Sequence, residues 1–350
     1  MSVKVVFFPA KCGDCFLLEC SVNDGIFRIL IDGGTPATAD VVLAYLKKDG
    51  KCPVIDLVVV THIDNDHIGG VIRLLKDTEF NAAVKEIWFN GISRIAKLPS
   101  GVKSLSVTQG VKLEEMLHDD ARWNAYFGGA AVSINADGSP YNARIADGLV
   151  LDILSPGTAE LAELKRNWSM LAVAPDPSDE EKDKLPAGVQ SLSVGKDVYA
   201  LAESKFDPDK AYANGSSIAF LLEIDLKFLL FTGDAFPDVI TDAAELLQAG
   251  PIRVNVFKVS HHGSAGNTNE RIVRKFPADY YLISTDGTHD HPHDEAIGRI
   301  LVYADNPKSL IFNYPDTMST WRGTDFEGAW SVRVQSHDGK TPIELDLGGA

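Results

Sequence analysis

Four times along this chain an apolar run of strand type stops at an aspartate or a histidine. Residues 56–61, with Leu57-Val58-Val59-Val60, end at His62. Phe228-Leu229-Leu230-Phe231 runs into Thr232-Gly233-Asp234. Residues 254–259 run into Ser260-His261-His262-Gly263-Ser264. Residues 280–284 are followed, across Thr285-Asp286-Gly287, by His289-Asp290-His291-Pro292-His293. In layered α/β proteins, reactive groups gather beyond the carboxyl ends of strands. The repetition therefore points to a fold in which several strand ends meet. Seven of the nine histidines fall in these clusters, which scattered surface histidines would not do.

The surrounding pattern supports an α/β chain. Residues 3–8 and 15–20 read as strands. Asn23-Asp24-Gly25 is a turn signal before a strand at 27–31, and Asp32-Gly33-Gly34 ends that strand. Residues 41–48 have helical spacing. The run at 56–61 reads as a strand covered on both faces, and the next helix is expected to open at 71–75. The plan then returns: Phe16-Leu17-Leu18-Glu19 reappears as Phe220-Leu221-Leu222-Glu223, each followed by a turn, an apolar strand and a Gly/Asp corner. This predicts two similar α/β halves packed together.

Between the halves, 105–127 and 159–171 read as helices and 148–154 as a strand. Residues 174–186 carry three prolines and five acids against two lysines, the composition of a solvated loop. Strand patterns return at 310–312, 330–334 and 343–347, separated by turns at 324–328 and 336–339. Trp321 and Trp330 read as packing aromatics.

Composition bounds the partners. Apolar residues make up 45% and charged residues 23%, which excludes a wholly disordered chain. The net charge of −16 disfavours a protein that grips duplex DNA by its phosphates, unless metal ions or a basic patch reverse the local field. No apolar run reaches the roughly 18–20 residues of a membrane span. The N-terminal apolar run is too short for a signal-peptide core. Four cysteines are too few for a disulfide scaffold, and Cys12-x-x-Cys15 reads as two small residues of a strand and loop. A soluble, cytoplasmic protein with no membrane partner is expected.

In His62-Ile63-Asp64-Asn65-Asp66-His67, four potential ligands occupy six residues between a strand end and a helix start. Imidazole nitrogen suits zinc, manganese or iron, and carboxylates bridge cations. Asp234 alone would suit a turn or cap equally well. His262 fits a structural role as readily as a functional one. His289 and His293 flank the last cluster; His118 and His337 read as ordinary histidines. Gly69 and Gly70 suit close helix packing.

His62-x-Asp64-x-Asp66-His67-x-Gly69-Gly70, Thr232-Gly233-Asp234 and His261-His262-Gly263-Ser264 together resemble the metallo-β-lactamase-fold hydrolases. They resemble in particular the branch containing the hydrolase domain of the ComEC DNA-uptake proteins and free-standing bacterial relatives. Cys12-Gly13-Asp14-Cys15-Phe16 and Asp32-Gly33-Gly34 fit the opening of that branch. The resemblance implies a four-layer αββα sandwich built as a single domain over residues 1–350. Within it, a helical and loop insertion is expected at about 91–200 and a β-rich extension at about 309–350. It implies two divalent metal ions, zinc or manganese, and hydrolysis by a metal-bound hydroxide. Carried over, His62 and Asp64 would hold one metal, and Asp66, His67 and His291 the other, with Asp234 bridging. His261 would act as general acid, phosphate contact or substitute ligand, with Asp66 counted as catalytic beside it. His262 and Ser264 would contact substrate. The family supplies a further histidine near the position of Asn214. The asparagine makes the first metal site richer in oxygen, which moves the expectation towards manganese or a loosely held ion.

The leading expectation is a phosphodiesterase or nuclease acting on a small anionic, nucleotide-type or short nucleic-acid substrate. Ser264 and the basic Lys258 near the motifs favour it. The alternatives are a hydrolase of a lactone, thioester or β-lactam, or a non-catalytic metal-binding regulatory or assembly module with a protein partner.

Overall fold

The computed structural model describes residues 2–23, 25–95, 109–171, 197–305, 308–315, 317 and 324–348. Among the described residues, fourteen strands form two sheets. The first contains β1 (Val3–Phe7), β2 (Phe16–Val22), β3 (Gly25–Ile31), β4 (Leu57–Val59) and β5 (Ile87–Trp88). The second contains β6 (Tyr141–Ala146), β7 (Leu149–Ser155), β8 (Ala219–Ile224), β9 (Lys227–Phe231), β10 (Val254–Lys258), β11 (Ala278–Ile283), β12 (Lys308–Phe312) and β13 (Val332–Ser336). The last strand, β14 (Ile343–Asp346), crosses back to the first sheet and pairs antiparallel with β1. The three strands after residue 308 thus complete the edges of both sheets.

Strand alternation produces the layers. Val3, Val5 and Phe7 of β1 face the second sheet and meet Phe220, Leu222, Leu229 and Phe231. Val6 and Phe8, between them in sequence, face outward onto helices Thr38–Leu46 and Asn65–Leu74. The outer face of the second sheet, through Leu221, Leu230 and Phe257, is covered by helices Pro237–Leu247, Glu270–Lys275 and Asp294–Tyr303. Helix, sheet, sheet, helix is therefore the stacking order. Phe16, Phe220 and Phe231 interlock at the centre, with ring centroids 5.4 and 5.7 Å apart along the chain of contacts. Each such buried side chain contributes about 1.5–3 kcal/mol.

The internal repeat is visible in register. Phe16 and Leu17 pair with Ile31 and Leu30, and Phe220 and Leu221 pair with Phe231 and Leu230. Each antiparallel hairpin is then extended by parallel strands, β3–β4–β5 in one sheet and β9–β10–β11 in the other.

Three local expectations are corrected. The second helix begins at Asn65 rather than 71, because Gly69 and Gly70 lie inside it. A Cβ on Gly70 would meet the Gly33 carbonyl oxygen at 1.9 Å, so glycine is required by the approach of the Asp32-Gly33-Gly34 corner. The helix expected over 105–127 spans Gln109–Leu117, with 96–108 outside the described residues. Asp120 folds the chain back by accepting from the Arg122 amide at 2.9 Å, and Trp123 donates to the Phe89 carbonyl at 2.8 Å. Residues 324–328, read as a turn, belong to helix Thr324–Ala329, since a Thr-Asp start suits a helix as well as a turn. The loop expected at 174–186 and Trp321 lie outside the described residues. Trp330 packs on Tyr199 at 5.2 Å.

Candidate metal centre

The loop after β4 and the loops after β9 and β10 meet at one side chain, Asp234, which is 3% exposed. Its Oδ2 lies 3.7 Å from His62 Nε2, 3.5 Å from His67 Nε2, 3.6 Å from His262 Nε2 and 3.8 Å from His261 Nε2. Two acids flank this group, each beside different imidazoles. Asp64 Oδ2 is 3.5 Å from His62 Nε2, and Asp66 Oδ2 is 3.4 Å from His262 Nε2 and 3.8 Å from His67 Nε2. Asp64 occupies the N-cap of helix Asn65–Leu74 but makes no capping bond, which leaves its carboxylate for the cluster.

The opposite ring nitrogens explain why the Nε2 atoms point inward. His67 Nδ1–H donates to Asp32 Oδ2 at 2.9 Å. The Thr61 hydroxyl also donates to that oxygen, at 2.7 Å, so it accepts from His62 Nδ1–H at 3.1 Å. His262 Nδ1–H donates to the Ser284 carbonyl at 2.8 Å. Each bond fixes a tautomer whose Nε2 carries a lone pair, the form that ligates metals. The Nε2 atoms of His67 and His262 face each other at 3.2 Å. His62 Nε2 and Asp234 Oδ1 are buried without a hydrogen-bond partner among the described residues. Inward lone pairs, orphaned buried atoms and surrounding carboxylates form a donor set that fits divalent metal ions.

The electrostatics agree. Burial pushes the His67 pKa down, but Asp234, Asp66 and Asp32 outweigh it and hold the imidazole well above its ordinary value. His262 is pulled against burial to about 9 by Asp234 and Asp14. Burial would raise Asp234, but His67, His262 and His261 hold it well below the usual carboxylate range. Such a cluster needs positive charge, whether from protons or from metal.

Asp14, His67 and His262 form a second group of closely spaced candidate ligands. Lys258, however, is 1% exposed and forms a close ion pair with Asp14, while donating to the Gly233 carbonyl at 2.9 Å. Asp14 is thereby the counter-charge of a buried lysine. Lys258 cannot reach a substrate from there, and its part in the case for a phosphodiester substrate falls away.

The remaining expected residues are placed as follows. His291 lies against His261 with ring centroids 5.0 Å apart and the planes tilted by 40°, and its Nδ1 lies 3.1 Å from the His261 carbonyl oxygen. Ser264 is 7% exposed, and its hydroxyl accepts from the Gly266 amide. His293 accepts from the Ala265 amide at 3.0 Å. His118 and His337 pair with the neighbouring Asp119 and Asp338. Asn214 Nδ2 donates to Asp209 Oδ2 at 2.7 Å. Asp209 and Asn267 were not singled out from sequence, and Asp14 and Asp32 entered only within their motifs, without a site role. The Asp32-Gly33-Gly34 corner was the available signal for Asp32.

Residues 13–120 match the family model described as the metallo-beta-lactamase superfamily. The chain is 30% identical over 105 residues to ComE operon protein 3 of Bacillus subtilis. That stretch is 29% of this chain and 13% of the relative, so the chain spans about an eighth of its length. A solved structure from Parabacteroides distasonis, described as a metal-dependent hydrolase, aligns over 95% of this chain and 92% of its own, at 12% identity and a TM-score of 0.37. The matched segment carries the His62–His67 motif, and the two facing sheets with helices on their outer sides, meeting at Asp234, are consistent with the metallo-β-lactamase fold.

Proposed function

We propose that the chain is a metal-dependent phosphodiesterase, acting on a nucleotide-type or short nucleic-acid diester. The observation that carries the reading is the convergence of four Nε2 atoms on Asp234 Oδ2, with Asp64 beside His62 and Asp66 beside His262. This donor set divides in two about a shared carboxylate. His62 and Asp64 would hold one cation, Asp66, His67 and His262 the other, and Asp234 both. His262 takes the place that the resemblance gave to His291, because its Nε2 faces both Asp66 and His67. Zinc and manganese both suit nitrogen and oxygen donors. When bound, such ions supply Lewis acidity and positive charge at the reacting oxygen atoms, which suits in-line displacement at phosphorus.

The chain's own side chains then divide the proton work. Water attacks phosphorus, forming one P–O bond, and the Asp66 carboxylate takes its proton. The P–O bond to the leaving group breaks with its electron pair on oxygen. His261, whose side chain is 26% exposed, donates a proton to that oxygen from Nε2. The products are a phosphomonoester and an alcohol. The resemblance to the DNA-uptake hydrolases favours a diester over an acyl substrate. The net charge of −16 favours a short substrate drawn in by the bound cations over a long duplex. No helix among the described residues is long and apolar enough to cross a membrane.

The test is nitrophenol release from bis-p-nitrophenyl phosphate and from p-nitrophenyl acetate, after loading with manganese or zinc. Diester turnover that depends on added metal is expected. Acyl-ester turnover alone would move the activity to lactones, thioesters or β-lactams. Metal binding without either turnover would make the chain a binding module.

A further inference from the structure

We propose that Asp209, braced by Asn214 and Asn267, is the positioning residue for His261, fixing its ring with Nδ1 turned to the carboxylate and Nε2 turned to Asp234. This rests on the reading of His261 as the group that faces the leaving oxygen.

Asp209 is anchored on both sides. Its amide donates to the Gly266 carbonyl at 3.1 Å, and its Oδ1 accepts from the Ala211 amide at 2.9 Å. That leaves Oδ2, which accepts from Asn214 Nδ2 at 2.7 Å and Asn267 Nδ2 at 3.1 Å. His261 Nδ1 lies 3.4 Å from the same oxygen and 2.9 Å from Asn267 Oδ1. Asn267 also donates to the backbone carbonyl of Asp234 at 3.0 Å, tying the cradle to the central carboxylate.

Asn214 Nδ2 also lies 3.3 Å from His261 Nδ1, but its shorter contact, 2.7 Å, is the bond it donates to Asp209 Oδ2. Two amide donors on one carboxylate oxygen favour its ionised form. A carboxylate and an amide oxygen beside Nδ1 require that nitrogen to carry hydrogen. The ring is thereby held with Nε2 facing the cluster, 3.8 Å from Asp234 Oδ2. Asn214 lies near the place where the resemblance implies a further histidine, and its amide nitrogen is spent on Asp209. In this chain that position braces His261.

The experiment uses the full chain loaded with manganese, with variants Asp209→Asn, Asp209→Ala and Asn267→Ala. Metal content is measured by atomic analysis. Turnover is measured on bis-p-nitrophenyl phosphate and on a dithymidine monophosphate, whose alkoxide leaving group needs a proton. Asp209→Ala should keep its metal and lose roughly 10–100-fold in kcat on the dinucleotide, the usual cost of removing such a supporting partner. KM should move by less than about twofold, and the loss on the nitrophenyl diester should be much smaller. Asp209→Asn, which keeps the shape, should recover part of the loss. Equal losses on both diesters, or a fall in metal content, would overturn the assignment. Crystal structures of the wild type and Asp209→Ala decide the matter independently of turnover. A turned His261 ring is expected, and an unmoved ring refutes the positioning role. If the wild type cleaves neither diester, the proposed function fails while the ring orientation still decides the role of Asp209.

Discussion

The two halves of the molecule use one topology for different tasks. In each, the Phe-Leu-Leu-Glu strand pairs with the next strand in the same register, and the corner that follows carries an aspartate. In the first half that aspartate is Asp32, one residue past β3, with φ of 54°. It accepts from Thr61 and His67 and faces away from the Nε2 atoms. In the second half it is Asp234, three residues past β9, and its Oδ2 stands among them. The next strand of each half ends in histidine, His62 after β4 and His261-His262 after β10. A shift of two residues in the corner thus separates a carboxylate that orients ligands from one that joins them.

The largest effect expected from this difference is at Asp234. Asp234→Asn should weaken both bound metals together and lower turnover by on the order of 10²–10³ or more, since a neutral amide cannot supply the lost charge. The loss of only one of two affinities in a metal titration would make Asp234 a terminal ligand and break the comparison. Asp32→Asn should lower metal affinity by about 10–100-fold with the stoichiometry unchanged, as expected for a partner that holds a ligand in place.

The two halves also meet through a buried charge pair, Asp14 of the first and Lys258 of the second. Removing one partner strands the other. Lys258→Met should cost about 3–5 kcal/mol, measured by urea unfolding of the metal-free protein. Lys258→Met combined with Asp14→Asn should recover much of that. If the single variant is as stable as the wild type, the pair does not hold the halves at this point.

His262 and His291 sharpen the ligand assignment. His262→Ala should lose one metal equivalent, whereas His291→Ala should retain both, because the His262 Nε2 faces Asp66 and His67 and the His291 ring lies against that of His261. Metal analysis of the two purified variants checks this. The reverse result would restore His291 to the ligand set.

The parts legible in the sequence were those written in local spacing. His62, Asp64, Asp66 and His67 lie within six residues at a strand end, and the repeat of Phe16–Glu19 at Phe220–Glu223 exposed the two-sheet plan. The supporting residues were not legible, because each gains its meaning from a distant partner. Lys258 is the last residue of an apolar strand and looks like a surface base until Asp14 is brought onto it. Asp209 and Asn267 lie in loops of ordinary turn composition, and only the fold places them on His261. His262 suited a structural or a functional role equally well from sequence, because it lies past the end of β10 in the turn Ser260–Gly263, whose course the local pattern does not give. Left-handed backbone at His261 and His262, with φ of 48° and 55°, turns both rings to the cluster.

The smallest expected effect lies at the last residue of the repeat. Glu19 is flanked across the sheet by Lys4 on β1 and Arg28 on β3, with contacts of 2.8 and 2.9 Å. Glu223 holds the matching place in β8 opposite Phe228 and has no ion-pair partner among the described residues. Opposite charges directly across strands contribute roughly 0.2–1 kcal/mol each, less where solvent screens them. Glu19→Gln should therefore cost about 0.5–1 kcal/mol at neutral pH, and Glu223→Gln close to nothing. The two variants should also differ in their dependence on pH. Burial acts to raise the Glu19 pKa, but its bonds to Lys4 and Arg28 prevail and lower it. A carboxylate whose folded pKa lies below its unfolded one stabilises the fold above the unfolded value. That stabilisation is lost as pH falls through the folded one. The gap between wild type and Glu19→Gln should be full at pH 6–7 and close as the pH falls below about 4. Urea unfolding of the metal-free proteins across that range measures it. A gap that persists in acid would assign the cost to packing, and a matching loss in Glu223→Gln would make the two strands equivalent at this position.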